Sequence, residues 1–335
     1  MTALAHREVP AAASRPLVRS EGLTKDFGLA RGFLAPASRA VRAVHNVSFD
    51  LAPGEVFGVV GESGSGKSTL GRLMLRLIEP TAGKVFFDGQ DLGELSPAEL
   101  RGFRRHMQMI FQDPFASLNA RMTIGDALLE PLRLHRGLSR ADAWEEAALL
   151  MERVGLTREQ LSRYPRALSG GQRRRVAIAR ALAPAPRFVV ADEPVSSLDV
   201  SIQAEVLNLL QDLQRGLGLS LMFISHDLSV VEVVADRVMV LYLGRVMELA
   251  ATDALYARPA HPYTAALMAA APGASRRKQR FVLSDEIPSP SDPPSGCVFR
   301  TRCPLAIAEC ARVIPALREI APGHLKACIR DDLAL

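Results

Sequence analysis

Residues 55–68 read EVFGVVGESGSGKS, an apolar, β-branched run that ends in glycine and passes into the pattern G-x-x-x-x-G-K-[ST]. Few segments constrain a fold as tightly. The run predicts a buried strand over 55–61, and the pattern sets a phosphate-cradling turn between that strand and a helix. Gly61, Gly64 and Gly66 let the backbone curl so that successive N–H groups point inward as an anion nest. The helix beginning near Lys67 adds the positive end of its dipole. Lys67 supplies a point charge for β- and γ-phosphates, and the Ser68 hydroxyl is a candidate Mg²⁺ ligand.

The rest of the chain fits an α/β frame. Short strands are expected between Pro16 and Leu51, interrupted by GLARGFLAPASRA at 28–40, which reads as a surface loop. Further strands are expected at 83–92 (GKVFFDGQDL), 107–112 (MQMIFQ), 188–191, 221–225 (LMFIS) and in VMVLYLG. Helices are expected over 139–154, capped by Ser139 with Asp142 three residues on, and from Gly171 to Ala183, where Pro184 and Pro186 stop the chain. Ile202, Val206, Leu209, Leu210, Leu213 and Leu217 mark one face of another helix, ended by Gly218. Strand and helix alternating from 55 to 245 predict an α/β fold with a mainly parallel central sheet.

Three strand ends carry groups suited to phosphoryl chemistry. FVVADEP places Asp192 at a strand terminus, where it suits Mg²⁺ coordination, and Glu193 beside it as a general base for water. Gln112 closes MQMIFQ and is placed to reach the metal or the water; His226 closes LMFIS and is placed to donate to a γ-phosphate oxygen. LSGGQRRR at 168–175 opens a second helix whose N-terminus is free to face an anion.

Hydrophobic residues make up 48% and charged residues 23% of 335 positions, which excludes wholesale disorder. No apolar stretch approaches the roughly 18 residues of a membrane span. The first 20 residues hold no continuous apolar core of a secretory signal, so a cytoplasmic protein is expected. A net charge of +5 is too modest to make nucleic acid a partner.

GESGSGKST, FQDP, LSGGQ, VVADEP, SSLD and SHD, in this order, resemble the ATP-binding subunit of an ABC transporter from about residue 15 to 272. That resemblance implies an ATPase with a P-loop NTPase (RecA-like) core, an antiparallel β subdomain and an inserted helical subdomain at about 113–185. It implies a phosphate loop of Gly61, Glu62, Ser63, Gly64, Ser65, Gly66, Lys67, Ser68 and Thr69, with Mg²⁺ near Ser68, Gln112 and Asp192. Glu193 and His226 are the implied catalytic pair. Leu168, Ser169, Gly170, Gly171 and Gln172 would face the ATP of a second subunit, and Ser197, Leu198 and Asp199 would lie at the dimer seam. Adenine would stack on an aromatic upstream of the loop: Phe27, or Phe33 within the 28–40 loop.

Downstream, SHDLSVVEVVADRVMVLYLGRVMEL, RPAHPYTAALMAAAP and EIPSPSDPPSGCVFRTRCPLA are similar to the peptide-importing branch, with His261–Pro262–Tyr263 distinctive for it and the F-type subunit the nearer likeness. The resemblance implies a paralogous D-type ATP-binding subunit, two membrane-spanning permease subunits and an extracytoplasmic peptide-binding protein as partners, at the cytoplasmic face of the inner membrane. The expected layout is a loose leader at 1–15, the ATP-binding domain at 16–272 and a small C-terminal domain at 273–335.

All four cysteines lie in that last part, spaced C-x₅-C-x₆-C-x₁₇-C at Cys297, Cys303, Cys310 and Cys328. Structural zinc sites prefer C-x₂₋₄-C pairs; looser spacing suits the separated corners of a [4Fe-4S] cluster, which the resemblance also implies. Zinc and unliganded thiols stand as alternatives. A non-transport ATPase acting on ribosomes or DNA fits less well, since there is one cassette and no long heptad run. A P-loop kinase or GTPase leaves LSGGQ unexplained.

Overall fold

The computed structural model describes residues 15–28, 41–113, 118–196, 198–270, 286–333 and 335. The leader, Phe33 and most of the 28–40 loop, Ser197 and the stretch 271–285 lie outside them.

Two sheets carry the molecule. A four-stranded antiparallel sheet has the order β2-β1-β4-β5, with β1 at Val18–Phe27, β2 at Val41–Leu51, β4 at Ala82–Phe87 and β5 at Gln90–Asp91. The expected single strand at 83–92 is a hairpin instead, because Asp88 and Gly89 both take positive φ (51° and 79°) and turn the chain between β4 and β5.

The larger sheet has the order β11-β12-β10-β9-β3-β8-β7-β6. Its parallel part comprises β3 (Val56–Val60), β6 (Met107–Ile110), β7 (Phe188–Asp192), β8 (Ser220–Ser225) and β9 (Arg237–Tyr242). Every residue of β3, β7 and β8 is buried, as parallel strands covered on both faces must be. One face packs against the antiparallel sheet, where Phe49 stacks on Phe57 with ring centroids 4.9 Å apart, and against α1 (Lys67–Met74) through Leu70, Leu73 and Met74.

The other face and its flank hold α3 (Ile124–Arg136), α4 (Arg140–Arg153), α5 (Gly170–Leu182), α6 (Val200–Leu217) and α7 (Leu228–Val234); a short α2 (Pro97–Phe103) precedes β6. Their ends follow capping rules. The Ser139 hydroxyl accepts the Asp142 N–H at α4, and Gly218 ends α6 at φ 63°. Among the described residues, no helix is long and apolar enough to cross a membrane.

After β10 (Arg245–Ala251), α8 (Thr252–Ala257) and α9 (Pro262–Ala270), the cysteine-bearing stretch ends in a hairpin of β11 (Arg318–Ala321) and β12 (His324–Lys326). β12 pairs antiparallel with β10 through Glu248↔Lys326 and Leu249↔Leu325. Cys297, Val298, Phe299 and Cys310 join the same buried cluster as the cassette's helices. This stretch therefore shares the cassette's sheet and core.

Candidate active site

β3 delivers the chain into the glycine loop, and α1 carries it away. At Gly61 (φ 152°) a Cβ would lie 2.2 Å from the Leu241 carbonyl oxygen; at Gly66 (φ 100°) it would lie 2.1 Å from that of Ala43. Only glycine fits either position. The turn before β10 secures the loop, with the Gly244 N–H donating to the Ser65 carbonyl at 2.9 Å. Gly66 caps α1 with no side-chain acceptor for its leading N–H groups, so those donors are aimed at whatever the loop holds. Ser63 and Gly64 are exposed, while Thr69 is half-buried on α1.

Lys67 is buried, its Nζ 2.7 Å from the Gly61 carbonyl, 2.9 Å from that of Glu62 and 3.4 Å from Ser65 Oγ. Burial draws its pKa below the ordinary lysine value, against the pull of Glu193, Asp192 and Glu62.

Adjacent strands bring the acidic groups to the same end of the sheet. β7 ends at Asp192, which is buried and accepts from Ser68 Oγ at 2.8 Å. Burial raises the Asp192 pKa; the Ser68 hydrogen bond and Arg72 oppose it. The next residue, Glu193, has φ 46°, a left-handed conformation that turns its side chain away from the strand line. Its N–H donates to the Ile224 carbonyl of β8 at 3.0 Å. Its carboxylate accepts from Gln112 Nε2 at 2.8 Å and lies 3.3 Å from His226 Nδ1. Gln112, Glu193 and His226 thus meet at the carboxyl ends of three neighbouring parallel strands, where such sheets hold ligands.

The oxygen pair of Ser68 and Asp192 fits Mg²⁺, a hard cation that typically takes one or two protein oxygens and completes its shell with water and phosphate. The arrangement can hold a polyphosphate, its cation and a water beside a carboxylate.

Among the described residues the LSGGQ segment caps itself rather than meeting the loop. Ser169 Oγ accepts the Gln172 N–H at 3.2 Å, Gln172 Oε1 accepts the Ser169 N–H at 3.0 Å, and Leu168 is buried. Gly170 and Gly171 open α5. Asp199 caps α6, and Leu198 packs against the core. Phe27 ends β1 at 43% exposure beneath the Lys25 ammonium, 5.2 Å from its ring centroid.

Three contributors were not legible as site residues. Arg174 reads as part of a basic run, yet it is buried, and its guanidinium donates to the carbonyls of Phe111 (2.9 Å) and Gln112 (2.7 Å), tying the LSGGQ helix to the strand end that bears Gln112. MQMIFQ accordingly leaves the sheet at Ile110, two residues early. The other two, Tyr263 and Arg302, both reach Glu62.

None of the four cysteines is in a disulfide; burial raises the pKa of Cys297 and Cys328 and pushes that of Cys303 up to about 11. Among the described residues no group of three or more His, Cys, Asp or Glu side chains is arranged to hold a metal ion. The expected [4Fe-4S] cluster, like zinc, therefore finds no support in this geometry.

Residues 44–196 match the family described as ABC transporter, and residues 247–310 match the oligopeptide/dipeptide transporter C-terminal region. A Brucella ovis chain provisionally named a peptide import ATP-binding protein (BOV_A0347) is 56% identical over 95% of this chain and 99% of its own. The oligopeptide transport ATP-binding protein AppF of Bacillus subtilis is 48% identical over 95% and 98%. The solved dimeric ATP-binding cassette MJ0796, in a post-hydrolysis state with ADP and Pi, superposes with a TM-score of 0.63 at 29% identity over 70% of this chain and 98% of that one. The chain belongs to the ATP-binding subunits of ABC transporters, with the C-terminal region of the oligopeptide/dipeptide branch.

Proposed function

We propose that this chain is the ATP-hydrolysing subunit that energises a di- or oligopeptide importer. The observation that carries the reading is the meeting of Lys67, the Ser68–Asp192 pair and the Gln112–Glu193–His226 group at one end of the parallel sheet. Gly61 to Thr69 hold the phosphates, and Ser68, Gln112 and Asp192 would hold Mg²⁺, which would supply positive charge to offset that of the phosphates. Glu193 takes a proton from the attacking water, His226 orients the γ-phosphate, and Phe27 stacks on adenine.

A second ATP-binding subunit, a D-type paralogue, completes the site. In a head-to-tail pair, Leu168–Gln172 of each chain face the ATP of the other, and Ser197, Leu198 and Asp199 lie at the seam. ATP binding closes the pair; hydrolysis resets it. A cavity of about 630 Å³ between β6, α3 and α5, lined by Met109, Phe111, Leu134 and Ala177, suits an element inserted from one of the two permease subunits. The chain works on the cytoplasmic face of the inner membrane, and an extracytoplasmic protein delivers the peptide.

The four cysteines are proposed to carry a [4Fe-4S] cluster, whose corners lie farther apart than the ligands of one ion. The reading rests on their number and their confinement to one stretch of the sequence. Anaerobically purified protein should be brown with about four irons per chain; iron-free protein decides against it.

Reconstitution with its permeases in vesicles tests the main reading. ATP-driven uptake of labelled dipeptides or oligopeptides is expected. ATP turnover that moves no peptide across the membrane would refute the cargo class.

A further inference from the structure

Glu62, the second residue of the glycine loop, is held on every side. Its carbonyl takes Lys67 Nζ at 2.9 Å and the Ser65 N–H at 3.2 Å. Its N–H donates to Tyr263 Oη at 3.0 Å. Its carboxylate takes both terminal nitrogens of Arg302, at 2.6 Å and 3.0 Å. Arg302 lies 240 positions away, in the turn between Cys297 and Cys303, with its side chain only 4% exposed. A bidentate guanidinium–carboxylate pair fixes orientation as well as charge.

The surroundings hold that guanidinium in place. Its carbon lies 5.8 Å from the centroid of the Tyr242 ring. The Arg302 N–H donates to the Phe299 carbonyl at 3.0 Å. Phe299 packs its ring 5.4 Å from Tyr242 and 5.1 Å from Tyr263, all three fully buried. His261 sets Tyr263 by accepting its N–H on Nδ1 at 3.0 Å. The His261–Pro262–Tyr263 motif thus meets the cysteine-bearing stretch at the glycine loop.

We propose that Arg302 is a positioning residue: by gripping Glu62 it braces the phosphate loop, so that nucleotide and an ordered cysteine-bearing stretch favour one another. The inference rests on the phosphate-loop reading above. Without Arg302, the Glu62 carboxylate is left to compete with an arriving triphosphate for the Lys67 ammonium, whose charge it already attracts. Coupling of this kind acts equally in both directions. Nucleotide must therefore steady residues 297–328, and disorder of those residues must weaken nucleotide binding.

The test uses the full chain, titrated with a fluorescent ATP analogue and followed by amide hydrogen exchange. Arg302→Met should weaken binding about tenfold, and Arg302→Lys, which keeps the charge but not the paired donors, should recover part of the loss. In a Glu62→Gln background, Arg302→Met should add nothing. Nucleotide should slow exchange across 297–328 in the wild type and not in Arg302→Met. Wild-type affinity in a folded Arg302→Met chain overturns the proposal, as does an equal loss in the Glu62→Gln background or nucleotide protection that survives the substitution. Lys67→Ala separates the two readings: if it too binds normally, the phosphate-loop reading has failed rather than the brace.

Discussion

Replacing Glu193 by Gln exchanges one carboxylate oxygen for an amide and leaves the side chain's shape intact. With its oxygen toward Gln112 Nε2, now 2.8 Å from the carboxylate, the amide keeps that hydrogen bond, and its NH₂ faces His226 Nδ1 at 3.3 Å. The positive φ of 46° is as open to Gln as to Glu. Neither the loop nor the Ser68–Asp192 pair is touched. What disappears is the proposed proton acceptor, and general-base assistance amounts to about 10²–10⁴-fold, or roughly 3–5 kcal/mol of barrier. Loss of one negative charge from the surroundings of Lys67 meanwhile favours triphosphate binding. Phosphate release from the assembled transporter should therefore fall at least about a hundredfold, while ATP stays bound and holds the subunit pair closed. Hydrolysis within tenfold of wild type would refute the assignment.

Lys67→Ala should act on binding rather than on the chemical step, because the ammonium meets ground-state phosphates; a nucleotide titration that returned wild-type affinity would contradict it. His261 should make stability fall in acid. Burial holds the imidazole neutral, with its pKa lowered from 6.5 to about 4, so its contribution is complete above about pH 6.5 and is lost as pH falls toward 4. The slope is about 1.4 kcal/mol per pH unit. Denaturant melts of wild type and His261→Gln should differ by that slope within the window, and parallel pH curves would show that the group does not titrate there.

Local patterns exposed much of the cassette. The short apolar, β-branched runs VFGVV, FVVA and LMFI predict doubly covered strands, and β3, β7 and β8 contain them. α4 and α6 announce their ends through Ser139 and Gly218. α3 has the same end signals in Thr123 and Gly137, but Pro131 in its interior reads as a stop; packing of Ile124, Leu128 and Leu132 into the core outweighs the missing N–H. At the site, residues carried by strand ends could be placed from their strands alone, since neighbouring parallel strands bring Gln112, Asp192, Glu193 and His226 to one edge. Arg174, Tyr263 and Arg302 could not. Each acts through a partner chosen by tertiary folding, 62, 201 and 240 positions away, and nothing in a basic run, a tyrosine or an arginine between two cysteines encodes that distance.

β10 shows why the cysteine-bearing stretch and the cassette belong to one structure. Glu248 stands among Val246, Met247, Leu249 and Ala250 in β10 with no solvent exposure. A carboxylate in such a place costs several kcal/mol unless its oxygens are matched by donors. Three arrive from two directions: the N–H groups of Ala260 (2.7 Å) and His261 (3.0 Å) from the turn into α9, and His324 Nε2 (2.7 Å) from β12. The first two belong to the turn into α9; the third comes only with the β11–β12 hairpin, which also covers the β10 edge. Take that hairpin away, and the strand is left with an open edge and a buried carboxylate short of a donor. The same turn that serves Glu248 also carries Tyr263 to the glycine loop. The electrostatic need of one buried acid thus ties the end of the chain to the strand beside the phosphate loop, and the Arg302–Glu62 pair operates within that frame.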